Sequence, residues 1–419
     1  MVDVGRPAWL LLVVAAFVFG LGVPKAFGLL YVFALGLGWL VRRKGVELWP
    51  SMLRWPTVLL VLFGVSHVGM QIAHQVWRLD RANLPEILAI VLLPSVCLLA
   101  GWWFWALGLG HRRFSWLLLL YTCGALVYAL LSVALSRVPW WNLHQPLTLF
   151  AHVPWGDTAE LNIRSIEQRA FPAVVLLSLL PPLLRSPLPR RRWLGLSLGL
   201  IVGIGICVVS AFQSRLAILS LGLAALPLLL FWCAPRWRWW LIGASFMVSI
   251  VLASSGQLCD ERPSRYAGFV MHLWQAPWGG RLINFTYRLC SGSLARMKSG
   301  ELAHNVFLDV FNDTGWLPTL LLMAAVVPLA WLMIRALLLQ FLLLGWCFGL
   351  ALRWAFASVL VVEWLFQPLL FSDQLMFTLG FLLIGSVLSE SGFGNHRDCC
   401  FAMPSRPGTS PSETDACAN

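Results

Sequence analysis

The stretch AHNVFLDVFNDTG at 303–315 sets His304 and Asn305 just ahead of Val306, Phe307, Val310 and Phe311, which repeat with a helical rhythm. The spacing predicts a helix N-terminus there, with Asn305 or His304 as its cap. The positive end of a helix disfavours imidazolium. A neutral imidazole can take a proton, which is the work of a general base. A lone His before an apolar segment is more often just a satisfied polar side chain, so its neighbours decide the matter.

Those neighbours are arginines. FQSRLAILSLG carries Ser214 and Arg215, and RPSRYAGFVMHLWQAPWGG carries Arg265. LINFTYRLC adds Arg288, seven residues after Arg281 and on the same face if that piece is helical. LNIRSIEQRAF offers Asn162, Arg164 and Arg169 before a new apolar run. An Arg at a membrane boundary ordinarily snorkels to the headgroups. A guanidinium is also a planar fork of donors matched to phosphate oxygens. Several such forks with aromatic neighbours suit a phosphate-bearing ligand that approaches from a bilayer. The acidic candidates are Asp309 and Asp313, and Asp313 in NDTG reads as a helix-end or turn residue. The sequence has no Asp-x-Asp pair to hold a divalent metal against a diphosphate and no Cys/His spacing of the zinc type. Neither a metal nor a cofactor is expected.

The elements that must position these residues are membrane helices. The chain is 59% hydrophobic and 11% charged, against about 25% charged in soluble domains. Its mean hydropathy is +0.78. Apolar runs at 8–23, 26–41, 56–74, 84–108, 114–136, 171–184, 193–211, 216–234, 239–255, 316–334, 339–361 and 366–388 predict about 12 transmembrane helices. Many of the 24 Trp fit interfacial belts. Basic clusters at Arg42–Lys44, Arg112–Arg113, Arg185 with Arg190–Arg192, and Arg236 with Arg238 each follow an even-numbered span. The positive-inside rule puts them, and both termini, in the cytoplasm. The long loops 137–170 and 256–315 then face outward, and several of their arginines run against that charge bias.

The net charge of +12 serves topology and contact with anionic lipid headgroups. With no nucleic-acid motif, no nucleic-acid partner is expected. The expected fold is an all-α polytopic membrane protein. A transmembrane domain over 1–388 precedes a Ser-, Pro- and Gly-rich cytoplasmic tail over 389–419, which reads as disordered. Cys259 and Cys290 share the long outward loop, so a disulfide and two free thiols both remain open.

The order SRLAILSLGLAAL, SRYAGFVMHLWQAPWGG, HNVFLDVFNDTGW around one large loop resembles the O-antigen ligase and polymerase family. NIRSIEQRAFP resembles that family's Asn-x-Arg segment in the preceding loop. The likeness covers about residues 160–320; the first half agrees only in topology. It implies a bacterial inner-membrane glycosyltransferase of lipopolysaccharide biosynthesis with a periplasmic site, similar to the C-type membrane glycosyltransferases. The implied donor is an O-antigen glycan on undecaprenyl diphosphate. The implied acceptor is a hydroxyl of the lipid A–core oligosaccharide for a ligase, or another repeat for a polymerase.

Carried over residue by residue, Arg215 and Arg265 match the diphosphate-binding arginines, His304 the base, and Arg164 a further donor contact. Asn162, Ser214, Asn305, Arg281 and Arg288 are the remaining substrate-binding candidates. PWGGRLINF departs from the family's cleaner Gly-x-Gly, which leaves the roles of Arg281 and Arg288 open. A ligase is favoured over a polymerase because the large loop lies late in the chain. A twelve-span transporter is the alternative from another class.

Overall fold

The computed structural model describes residues 6–21, 27–45, 47–74, 84–107, 110–135, 262–289, 291–344, 348–367 and 374–393, with single positions and a short piece between 175 and 224. The predicted spans at 171–184, 193–211, 216–234 and 239–255, the loop 137–170, a Cys259–Cys290 disulfide and the tail beyond 393 lie outside what can be described.

The described chain is mostly helical. In order come α1 (Arg6–Gly20), α2 (Phe27–Arg43), α3 (Ser51–Ala73), α4 (Leu84–Val91), α5 (Leu93–Ala106) and α6 (Gly110–Leu135). After the gap follow α7 (Arg262–Met271), the strands β1 (Phe285–Arg288) and β2 (Leu294–Met297), then α8 (Val306–Thr314), α9 (Trp316–Leu344), α10 (Phe348–Phe366) and α11 (Gln374–Phe393). By length and composition three of these can cross a membrane: Ser51–Ala73, Trp316–Phe341 and Gly349–Phe366.

Several expected boundaries change: α9 runs through 335–338 and α10 through 362–365, where the sequence predicts connectors. The apolar run 84–108 is interrupted at Leu92, because Pro94 in the first turn of α5 has no N–H to continue the ladder of α4. The last helix also runs on to Phe393, past the expected end at 388.

Helices meet backbone to backbone where glycine removes the side chain. A Cβ on Gly101 of α5 would fall 2.1 Å from the Leu382 carbonyl of α11, and one on Gly385 would fall 2.0 Å from the Leu98 carbonyl. Gly20 and Gly124 join α1 to α6 the same way. Close approach at small residues is the packing mode of helices in lipid, where burial of apolar surface gives little drive. The outer face of α9 leaves Leu317, Leu320, Val327 and Trp331 exposed at helical spacing.

The loop between α7 and α9 departs from an all-helical fold. Its antiparallel hairpin pairs Phe285 with Met297 and Arg288 with Leu294. Alternation decides this: Phe285 turns inward while Thr286 turns out, a period of two. Arg281 and Arg288 therefore do not share a helix face, since Arg288 ends a strand and Arg281 sits in the turn before it. Phe269, Ile283, Phe285, Met297 and Phe311 give the loop a core of its own.

The loop docks on α8 through two glycines. Gly315, at φ 81°, ends α8, and a Cβ there would meet the Pro277 carbonyl at 2.5 Å. Gly279, at φ 90°, lies against the Asp313 carbonyl in the same manner. Gly315→Ala is expected to cost about 1–3 kcal/mol in local stability. Hydrogen exchange over 277–281 should speed up while exchange in α5 and α11 stays unchanged.

Candidate functional site

α8 begins where its sequence predicts, and of the two candidate caps it is Asn305 that takes the role. Asn305 is extended (φ −146°, ψ 127°), and its Oδ1 accepts from the N–H groups of Phe307 at 3.0 Å and Leu308 at 3.1 Å. Its Nδ2 donates to the Leu365 carbonyl at 2.8 Å, tying the loop to the end of α10. His304 thus precedes the cap and lies outside the helix.

Asp309, one turn into α8, folds its carboxylate back over this entry. Oδ1 accepts the N–H of Ala303 and, at 3.2 Å, that of His304; Oδ2 accepts the N–H of Asn305 at 2.9 Å. To aim three successive amides at one carboxylate the chain must turn into the left-handed region, and His304 does so at φ 65°. Among residues with a side chain, His, Asn and Asp adopt that region most readily. Burial pushes the Asp309 carboxyl up from 3.8 to about 7, against the three amide bonds and the Arg265 charge, which pull it down. Desolvation outweighs the donors because the carboxylate is fully enclosed.

α7 delivers the arginine. Arg265 Nη2 donates to Glu301 Oε2 at 3.3 Å, and its guanidinium lies 5.8 Å from the Tyr287 ring centre. Next to it, the Tyr266 hydroxyl is shared between the carbonyls of His304 at 2.7 Å and Leu365 at 3.1 Å. Ser264 Oγ donates to the Arg288 carbonyl at 2.8 Å, which fastens β1 to the same helix and leaves the Arg288 side chain exposed. Arg265, His304 and Asn305 are therefore gathered around the start of α8, while the Arg288 side chain, next along the strand from Tyr287, turns to the exposed face of the hairpin.

Arg281 belongs to the other end of α8. Its Nε donates to Asp313 Oδ1 at 2.6 Å, while Gln71 Nε2 donates to Oδ2 of the same buried carboxylate. His67 Nε2 stands 3.8 Å from that Oδ2. The Thr314 hydroxyl donates to the Val310 carbonyl, so it receives the His67 Nδ1–H at 2.9 Å. A nine-residue helix separates this cluster from His304, a rise of about 13 Å. Arg281 thus clamps the loop to α3 and does not face the imidazole. Arg215, Ser214, Arg164 and Asn162 lie outside the described residues.

Sequence reasoning missed His67 and Gln71. The signal was there: polar residues four apart, on one face of an apolar run, are costly in a membrane and need partners. Their partners lie far along the chain, Asp313 at 242 residues from Gln71 and Thr314 at 247 from His67. Among the described residues no group of three or more His, Cys, Asp or Glu is placed to hold a metal ion. No family model matches the chain, and no curated protein matches it significantly.

Proposed function

We propose that this chain is a membrane glycosyltransferase of the O-antigen ligase kind, moving a glycan from undecaprenyl diphosphate onto a sugar hydroxyl of lipid A–core. The observation that carries the proposal is the joint placement of His304 and Arg265 about one carboxylate, Asp309. The first is bound to it through the backbone, and the second bears on it through its charge.

In the proposed reaction the acceptor hydroxyl oxygen attacks the anomeric carbon as the bond from that carbon to the diphosphate oxygen breaks. The hydroxyl proton passes to the imidazole of His304. The diphosphate leaves with the bonding electron pair, its charge held by Arg265 and, from outside the described residues, by Arg215 and Arg164. A single displacement inverts the anomeric centre. Fixed guanidinium groups lower the barrier because they are oriented before charge develops. Arg265 is suited to this: among the described residues its one ion pair is with Glu301, its side chain is 15% exposed, and that of Glu301 is 44% exposed. An anionic ligand can take the place of so loosely held a carboxylate. The active site is proposed to face the periplasm of a bacterial inner membrane, with both termini cytoplasmic.

Lipopolysaccharide from a deletion strain tests the assignment. Long polymer left on its lipid carrier, with bare core, is expected of a ligase; single repeats on core indicate a polymerase instead. Arg265→Lys in the restored strain should lower transfer at least about tenfold, because a point charge does not replace a bidentate fork. Wild-type transfer by that variant would remove Arg265 from the donor site.

A transporter draws on Arg353 and Glu363, both buried in α10. Each lies close to one end of the apolar segment Gly349–Phe366, away from the midplane where transport sites form. Substrate uptake by the purified protein in vesicles would favour the transporter.

A further inference from the structure

Segment 270–282 of the loop exposes several large apolar side chains, while Leu273 and Ala276 pack on the loop core. Met271 is 78% exposed, Trp274 77%, Trp278 67% and Leu282 60%. Monomeric soluble proteins seldom present so many large apolar side chains together.

The position of this segment relative to the helices is fixed by four contacts. The Trp316 N–H donates to the Pro277 carbonyl at 3.1 Å, and the Gly280 N–H to the Asp313 carbonyl at 2.9 Å. His74 Nε2, one residue past α3, donates to the Trp278 carbonyl at 2.7 Å. The Trp274 and Trp316 rings lie 5.8 Å apart. Segment 270–282 therefore sits level with the last turn of α3 and the first turn of α9, both helices able to cross a membrane. The exposed stripe of α9 begins at that same level with Leu317 and Leu320 and runs down the helix through Val327 and Trp331. The loop patch continues this stripe past the end of the helix.

We propose that segment 270–282 is a wedge seated in the headgroup layer of the bilayer, with Trp274 and Trp278 at the boundary between acyl chains and headgroups. Trp prefers that boundary, where its ring is in apolar surroundings and its N–H reaches polar ones. The flanking charge agrees. Apart from Arg265 and Arg281, which pair with Glu301 and Asp313, the loop carries Arg262, Arg288, Arg296 and Lys298, which suits the phosphates of anionic lipids. Such a seat would hold the loop against the membrane surface whatever reaction the protein performs.

A photo-crosslinking residue tests this in the full-length protein, reconstituted in nanodiscs containing phosphatidylglycerol. Benzoylphenylalanine replaces Trp274 in one variant and Met271 in a second, so a folding defect at one position does not decide the outcome. The control replaces Ser291, in the turn of the hairpin. The Ser264–Arg288 bond holds that turn near the start of α7, the opposite end from Met271. Phospholipid adducts at 274 and 271 are expected at several times the yield at 291. Equal yields at all three positions, no lipid adduct at either test position, or crosslinks mainly to a second copy of the chain would overturn the proposal.

Discussion

His304→Ala is expected to leave the protein in the membrane in wild-type amount and to reduce glycan transfer by about 10²–10⁴-fold, the usual contribution of a positioned general base. The readout is a lipopolysaccharide gel from a deletion strain carrying the variant. Alanine alone leaves one ambiguity, because it fits the left-handed backbone of His304 less well than histidine does. His304→Asn resolves it. Asparagine adopts the same region readily and keeps a polar side chain, yet it cannot take a proton at neutral pH. Both variants should be inactive. Transfer restored by asparagine would show that the position supplies shape and not proton transfer, and His304 would no longer be the base.

Asp309→Ala is expected to have the next largest effect. It leaves the amides of Ala303, His304 and Asn305 without their acceptor, and an unmet buried donor costs about 1–3 kcal/mol. The turn that presents His304 should loosen and transfer should fall at least about tenfold, while Asn305 still caps α8. Asp309→Asn keeps one carbonyl oxygen and should recover part of the activity.

The same pair of proteins has a pH signature. Because Asp309 titrates near 7 in the folded chain and near 3.8 ordinarily, the native state holds its proton more tightly than the unfolded one. The stability this confers is fully present below about pH 3.8 and is lost as the pH rises through about 7. Melting temperatures of the wild type in detergent should therefore fall over that window relative to those of Asp309→Asn, which has no carboxyl to titrate there. Parallel curves for the two proteins would mean that Asp309 is not the buried acid described.

Helix positions were legible because each rests on local pattern. An apolar run of about twenty residues can do little but span or pack as a helix, and the runs at 56–74 and 316–334 correspond to α3 and α9. The start of α8 was legible for the same reason, since a cap acts within four residues of chain, while the choice of Asn305 over His304 came from the structure. Pro94 signalled a break in the fourth run that hydropathy alone passed over.

The hairpin at 285–297 was harder to see, because its strands are four residues each and a short run has no period to count. Asp309 was named among the acidic candidates, but its fold back onto 303–305 depends on a left-handed residue that no spacing reveals. The junction of Arg281, Asp313, Gln71 and His67 was out of reach altogether, since its members are far apart in the chain.

From the sequence alone came a helical chain with apolar runs of membrane-spanning length, a polar loop bearing arginines and a histidine, and the point where α8 starts. Hydrophobicity and capping act over a few residues and are written in order along the chain. Tertiary structure alone decided that Arg265 joins His304 at one end of α8 while Arg281 is held at the other. A buried carboxylate takes whichever donors the fold brings within about 3 Å, and that choice depends on packing among segments far apart in the chain.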